Sequence, residues 1–252
     1  MSYLLLSSIA PVLSLVLFVL SASFFTTFVS VKLEYLGFEE YLIGIIHSVF
    51  YVGYLLGSTY IESFIKRIGH IRAFSTFASL SVSVLMIQGM SEVAFVWILT
   101  RFCAGFSLSA LYVVIESWLL AKSTIELRGR ILGFYMFSIY FAQSLAQLII
   151  DYVDADGFSA FLIAGCIASI SIIPIAMTKT LPPEVTEPKV KNTWKVFVIS
   201  PLGFSGCLLA GVMLSSIYSF APLFAMSRDI KISWVMSITI FGGFLLQWPV
   251  GK

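Results

Sequence analysis

The chain has 252 residues, of which 59% are hydrophobic and 11% charged, with a formal net charge of +2, whereas globular domains carry about 45–50% apolar and about 25% charged residues. Polar surface cannot cover that much apolar side chain at this length, so the chain is read as an integral membrane protein. Two His, three Cys and a net charge near zero exclude a soluble enzyme, a disulfide-stapled module and a nucleic-acid binder.

Crossing the hydrocarbon as a helix takes about 20 mostly apolar residues. The apolar runs are long and continuous rather than short and alternating, which favours an all-α polytopic helical bundle over a barrel. Eight spans are expected, at roughly 4–31, 41–61, 73–90, 95–121, 131–151, 158–178, 196–222 and 232–252. The first has no Lys or Arg before it and exceeds a signal peptide's h-region of about 7–15 residues. Cleavage after Ser21-Ala22-Ser23 is therefore not expected. Cys103, Cys166 and Cys207 fall singly in apolar runs and read as small core side chains.

In the second span, His47 lies roughly six residues, or about 9 Å, inside one membrane surface. Imidazole changes charge near neutral pH, so His47 is a candidate for proton coupling and for solute contact, or else an interhelical hydrogen-bonding group. The connection that follows, Glu62 to Arg72, holds Lys66, Arg67, Gly69, His70 and Arg72.

In the fourth span, Arg101, Gly105, Tyr112 and Glu116 fall within about 60° on one helical face, with Glu116 about 22 Å from Arg101 along the axis. A charge facing lipid is costly, so Arg101 is expected to face the bundle interior or a wet cavity. Gly105 allows a neighbouring helix to approach closely. Arg101 and Tyr112 are candidate solute contacts. Glu116 reads either as a proton carrier or as an interfacial carboxylate paired with Arg128 or Arg130.

The fifth span presents Gln143, Gln147 and Asp151 at i, i+4 and i+8. Amides that both donate and accept suit an uncharged or zwitterionic solute, and equally suit interhelical bonding. After the sixth span, the polar stretch Lys179 to Lys195 contains Pro182-Pro183 and Pro188, an extended linker by composition. It divides the chain into 1–178, a six-helix transmembrane domain, 179–195, a central loop, and 196–252, the start of a second transmembrane domain. In the seventh span, Gly203, Gly206, Gly211 and Pro222 suggest close packing and a bend. The eighth carries Phe241-Gly242-Gly243-Phe244-Leu245-Leu246, which repeats the aromatic, x, Gly, aromatic, Leu, Leu order of Tyr51 to Leu56 six helices earlier.

The connections after spans two, four and six hold ten Lys and Arg residues, and those after spans one, three, five and seven hold Lys32, Arg228 and Lys231. The positive-inside rule then puts the N-terminus in the cytoplasm.

By helix count, orientation and motif position the chain resembles the major facilitator superfamily, whose members have two six-helix halves joined by a cytoplasmic loop. That family's loop motif, G-x-x-x-D-R-x-G-R-[KR], aligns with Glu62 to Arg72. Arg67 and Gly69 match, whereas Lys66 stands at the acid, His70 at an Arg, and Arg72 is displaced by one. The resemblance implies a gating role for Arg67, Gly69 and Arg72. Arg101 and Gly105 match the family's R-x-x-x-G pattern on helix four, while its G-x-x-x-G-P-x-x-G-G antiporter pattern is absent from Phe134 to Ile150. Trp248 to Lys252 resembles the second-half copy of the loop motif at its first Gly. Members have about twelve spans, so the chain is expected to be truncated after about eight helices and not to transport by itself.

The function expected is secondary active transport of a small solute by alternating access, proton-coupled as symport or antiport, in a bacterial-type inner membrane, by a monomer. The alternatives are a non-transporting polytopic receptor or scaffold, or an inactive truncated transporter. No cofactor and no metal are expected, and the chain is not expected to be an enzyme, since His47 and His70 are its only imidazoles.

Overall fold

The computed structural model describes residues 2–124, 127–178 and 198–250. The central loop 179–195, with its four lysines, and the closing Gly251-Lys252 of the second motif copy lie outside the described residues. The helices are α1 (Ser2–Tyr35), α2 (Glu40–Ile68), α3 (His70–Gly89), α4 (Ala94–Lys122), α5 (Arg128–Ala146), α6 (Ser159–Ile170), α7 (Ile172–Ala176), α8 (Pro201–Ser227) and α9 (Ile232–Val250). Among the described residues, seven stretches are long and apolar enough to span a bilayer, with α6 and α7 together forming one and the apolar part of α9, Ile232–Leu245, shorter.

Three spans depart from the expected ones. The fifth ends as α-helix at Ala146 and continues as a 3-10 turn, Gln147–Tyr152. The sixth breaks at Ser171 between α6 and α7. Pro174 lacks an N–H and its ring crowds the carbonyl one turn back, which accounts for the break. Ser14 of α1 takes up the loosened backbone by accepting from Ile175 N at 2.8 Å. The seventh is interrupted at Ser200, with Val198 and Ile199 helical before it and α8 starting at Pro201, since proline suits the first helical turn, whose N–H groups have no intrahelical partner.

α1 is the central post, packing on α4, α5, α6, α7 and α8. The most extensive pairing is α2 on α4. A Cβ at Gly53 would meet the Phe102 carbonyl, one at Gly57 would meet Ser109 and Phe106, and one at Gly105 would meet the Phe50 carbonyl. The two backbones touch through small residues, the packing mode that works where lipid removes the hydrophobic drive between helices. Gly243, the counterpart of Gly53 in the repeat, has nothing within 4 Å of its Cβ position.

Apolar packing forms two layers. Near the α2–α3 turn, Leu15, Phe74, Val114 and Trp118 are buried together, and near the α1–α2 loop Phe24, Phe28, Trp97 and Phe161 are. Gly69 makes the α2–α3 turn with φ 83° and ψ 163°, a conformation essentially confined to glycine. The turn is pinned by His70, which is buried with its ring edge-on to Trp118 of α4 at 5.5 Å. The sequence places His70 in a loop, yet it is the first residue of α3 and part of the packing.

Candidate functional site

Between α1, α2, α4, α5 and α8 lies a cavity of about 740 Å³. Its wall includes Ser23, Thr26 and Thr27 of α1, Tyr51, Tyr54 and Ser58 of α2, Tyr112 of α4, Gln143 of α5, and Cys207, Ser215 and Tyr218 of α8. No Asp, Glu, Lys, Arg or His side chain lines it among the described residues. The wall is aromatic and aliphatic with hydroxyls and one carboxamide, the composition of a site that orients a ligand by a few hydrogen bonds.

The cavity runs from mid-bundle toward the end holding the α2–α3 turn, the C-terminus of α4 and the start of α8. At the opposite end, α8 and α9 close on the first six spans. The Ser30 hydroxyl has one hydrogen, and it is donated to the Ser219 carbonyl of α8 at 2.9 Å. The 3.0 Å contact of Ser30 with His47 Nε2 then has the imidazole N–H as donor. The acceptor lies three residues before Pro222, where a missing N–H and a bulky ring disturb the helix. Ser144 and Ser237 each donate to the other's carbonyl, at 3.4 and 3.1 Å, and Ser233 donates to Asp151 at 2.5 Å.

The structure separates residues that share a face in the sequence. Gln143 lines the cavity and lies within hydrogen-bonding reach of the Tyr112 hydroxyl. Gln147 is buried and saturated: its oxygen accepts from Thr27 at 2.7 Å, and its NH₂ donates to Ser23 at 2.9 Å and to the Gln143 carbonyl at 3.3 Å. It ties α5 to α1. Arg101 does not line the large cavity. It is buried, with its guanidinium 4.2 Å from the Phe50 ring centroid and within electrostatic range of His47 and Tyr51. Glu116, half-buried, accepts from the Tyr135 hydroxyl of α5 at 3.0 Å. Arg67 and Arg72 are exposed beside Gly69 at the cavity's open end.

Sequence reasoning missed Tyr51, Tyr54 and Tyr218, whose hydroxyls are hidden among apolar neighbours in a one-dimensional reading. It also assigned the cysteines to the core, whereas Cys166 is exposed, Cys103 is half-buried, and Cys207 is exposed on the cavity wall. A thiol on the cavity side of α8 has the same local sequence as one packed inside.

The sequence matches the family model described as Major Facilitator Superfamily over residues 12–252. It is 26% identical over 243 residues to an uncharacterized MFS-type transporter of Enterobacter sp. (strain 638), and likewise to the uncharacterized MFS-type transporter YcaD of Escherichia fergusonii. Each alignment covers 94% of this chain and 64% of the relative, so the chain spans a little under two thirds of those proteins. The fold is similar to the nucleoside transporter NupG, with a TM-score of 0.71 at 15% identity over 99% of this chain and 67% of that one. It is also similar to a bacterial homolog of the human lysosomal transporter Spinster in an inward-facing, unoccupied conformation, with a TM-score of 0.75 at 14% identity over 98% and 63%.

Proposed function

Because the chain belongs to the major facilitator superfamily, we propose that it works in secondary active transport by alternating access, with the 740 Å³ cavity as the solute site. The carrying observation is the wall itself: four tyrosines, several hydroxyls and Gln143, with no charged side chain. A net-charged solute would lose its hydration there without meeting a counter-charge. The solute is therefore a net-neutral polar molecule with an apolar or aromatic face. The positive-inside count supports a cytoplasmic N-terminus, which makes the open end of the cavity cytoplasmic and this arrangement inward-facing. On this reading Arg67, Gly69 and Arg72 belong to the cytoplasmic gate.

Cys207 supplies the test. With Cys103 and Cys166 replaced by Ser, a membrane-impermeant maleimide is expected to label Cys207 in inside-out vesicles and not from the outside of intact cells. Net-neutral solutes that bind should slow that labelling several-fold. Protection by organic anions or cations alone would overturn the neutral-solute reading, and labelling from outside only would overturn the orientation.

We further propose proton coupling through Glu116 and His47. Glu116 sits toward the open end with Tyr135 as its hydrogen-bond donor, and His47 sits at the closed end in the Ser30–Ser219 chain. Protonating His47 would set a second cation beside Arg101 and weaken that closure. In a full-length transporter carrying this chain, concentrative uptake in proteoliposomes is expected to require an imposed proton gradient, and Glu116→Gln to abolish accumulation, leaving only equilibration. Accumulation that ignores a protonophore would exclude the coupling.

A further inference from the structure

A second, much smaller cavity of about 40 Å³ lies between α1, α3, α4 and α6, with Ala22, Thr26, Phe50 and Leu108 lining both it and the large one. Arg101, Gln88 and Ser81 line it. Arg101 and Gln88 are each 1% exposed. Arg101 Nε and Nη2, both polar atoms of the Gln88 carboxamide and Ser81 Oγ have no hydrogen-bond partner among the described residues. No acidic side chain lines the cavity among the described residues.

Buried polar groups in native proteins are almost always satisfied, and a guanidinium cannot shed its proton to escape the cost of burial. The Phe50 face attracts Arg101 but takes none of its N–H donors. Three side chains on two helices thus bring unpartnered N–H and O–H groups, with the Gln88 amide oxygen, to one small space beside a buried positive charge. The volume admits about three water-sized spheres, enough for one small ion. Water alone would satisfy the donors and leave the charge unanswered.

We infer that the Arg101–Gln88–Ser81 cavity holds a small monovalent anion of chloride size, resident within the first six spans. The Arg101 guanidinium supplies the charge, and the Gln88 NH₂ and Ser81 hydroxyl complete the donor set. The inference is independent of what the large cavity carries. Because Phe50 both stacks on Arg101 and lines the large cavity, the ion also fixes one wall of the solute site.

The test is thermal unfolding of the purified full chain in sodium gluconate against sodium chloride or bromide at constant ionic strength. Chloride and bromide are expected to raise the midpoint saturably, by about 3–6 °C. Gln88→Leu should shift the half-saturating chloride at least tenfold upward, and Arg101→Met should abolish the response while melting in gluconate no lower than the wild type. Should Arg101→Met fail to fold, Gln88→Leu carries the comparison, and bromide-soaked crystals are expected to show an anomalous peak beside Arg101. A midpoint that does not distinguish the anions, or a full chloride response retained in Gln88→Leu, would overturn the site and leave ordered water as the filling.

Discussion

Leucine in place of Gly105 is expected to abolish the stable folded state in detergent, where leucine in place of Gly133 should leave the melting midpoint within about a degree of wild type. The contrast follows from what each new side chain meets. At Gly105 even a Cβ collides with the Phe50 carbonyl, backbone that belongs to α2 and cannot swing aside, whereas at Gly133 nothing lies within 4 Å. Separating α2 from α4 strips the contacts around Gly53 and Gly57 as well, so the cost is about 3 kcal/mol or more. It would also tilt Phe50, and with it Arg101. Size-exclusion profiles and thermal unfolding of the two variants decide the matter. Wild-type melting of Gly105→Leu would show that α2 and α4 are not held at backbone contact.

Gln143→Leu is expected to cut solute uptake by about tenfold or more with little change in stability, while Gln147→Leu should do the reverse. Gln143 lines the cavity together with Tyr112, so on the proposed reading its loss would remove a hydrogen bond to the solute. Gln147 spends every hydrogen-bonding group on Thr27, Ser23 and the Gln143 carbonyl. Replacing it leaves two α1 hydroxyls unpaired, at about 1–2 kcal/mol of stability. Uptake assayed alongside the melting midpoint separates the two roles. Equal loss of uptake with unchanged stability in both variants would mean that Gln147 also reaches the solute.

How far the sequence could be read depended on the kind of signal. The helical class and the first seven spans, the α2–α3 turn at Gly69 and close packing at Gly105 were legible, because bilayer thickness, glycine's backbone freedom and the absence of a Cβ act locally. The partition of Gln143 from Gln147 was not. One helical turn separates them, both fall on one face, and what distinguishes them is Ser23 and Thr27, more than a hundred residues earlier. Arg101 was correctly expected to face the interior, yet periodicity cannot tell the large cavity from the small one on the other side of Phe50. His70 read as a loop residue, because its partner Trp118 lies near the far end of the next helix, α4. The Pro174 break was written in the sequence, and a hydropathy window averages over it.

The joints at the closed end have a consequence for populations. Ser30 to Ser219, the reciprocal Ser144–Ser237 pair and Ser233 to Asp151 are hydroxyls meeting carbonyls and one carboxylate, with no cation among them. At about 1 kcal/mol net for each such bond, their rupture costs about 4 kcal/mol, so on the proposed alternating-access reading these joints alone would hold the oppositely opened arrangement to roughly one molecule in a thousand. A solute preferring that minority by about a millionfold would make it dominant, and one preferring it by about a thousandfold would bring the two to parity. Fastening by serines, in place of buried ion pairs, keeps the equilibrium within reach of the binding energy of a small uncharged molecule.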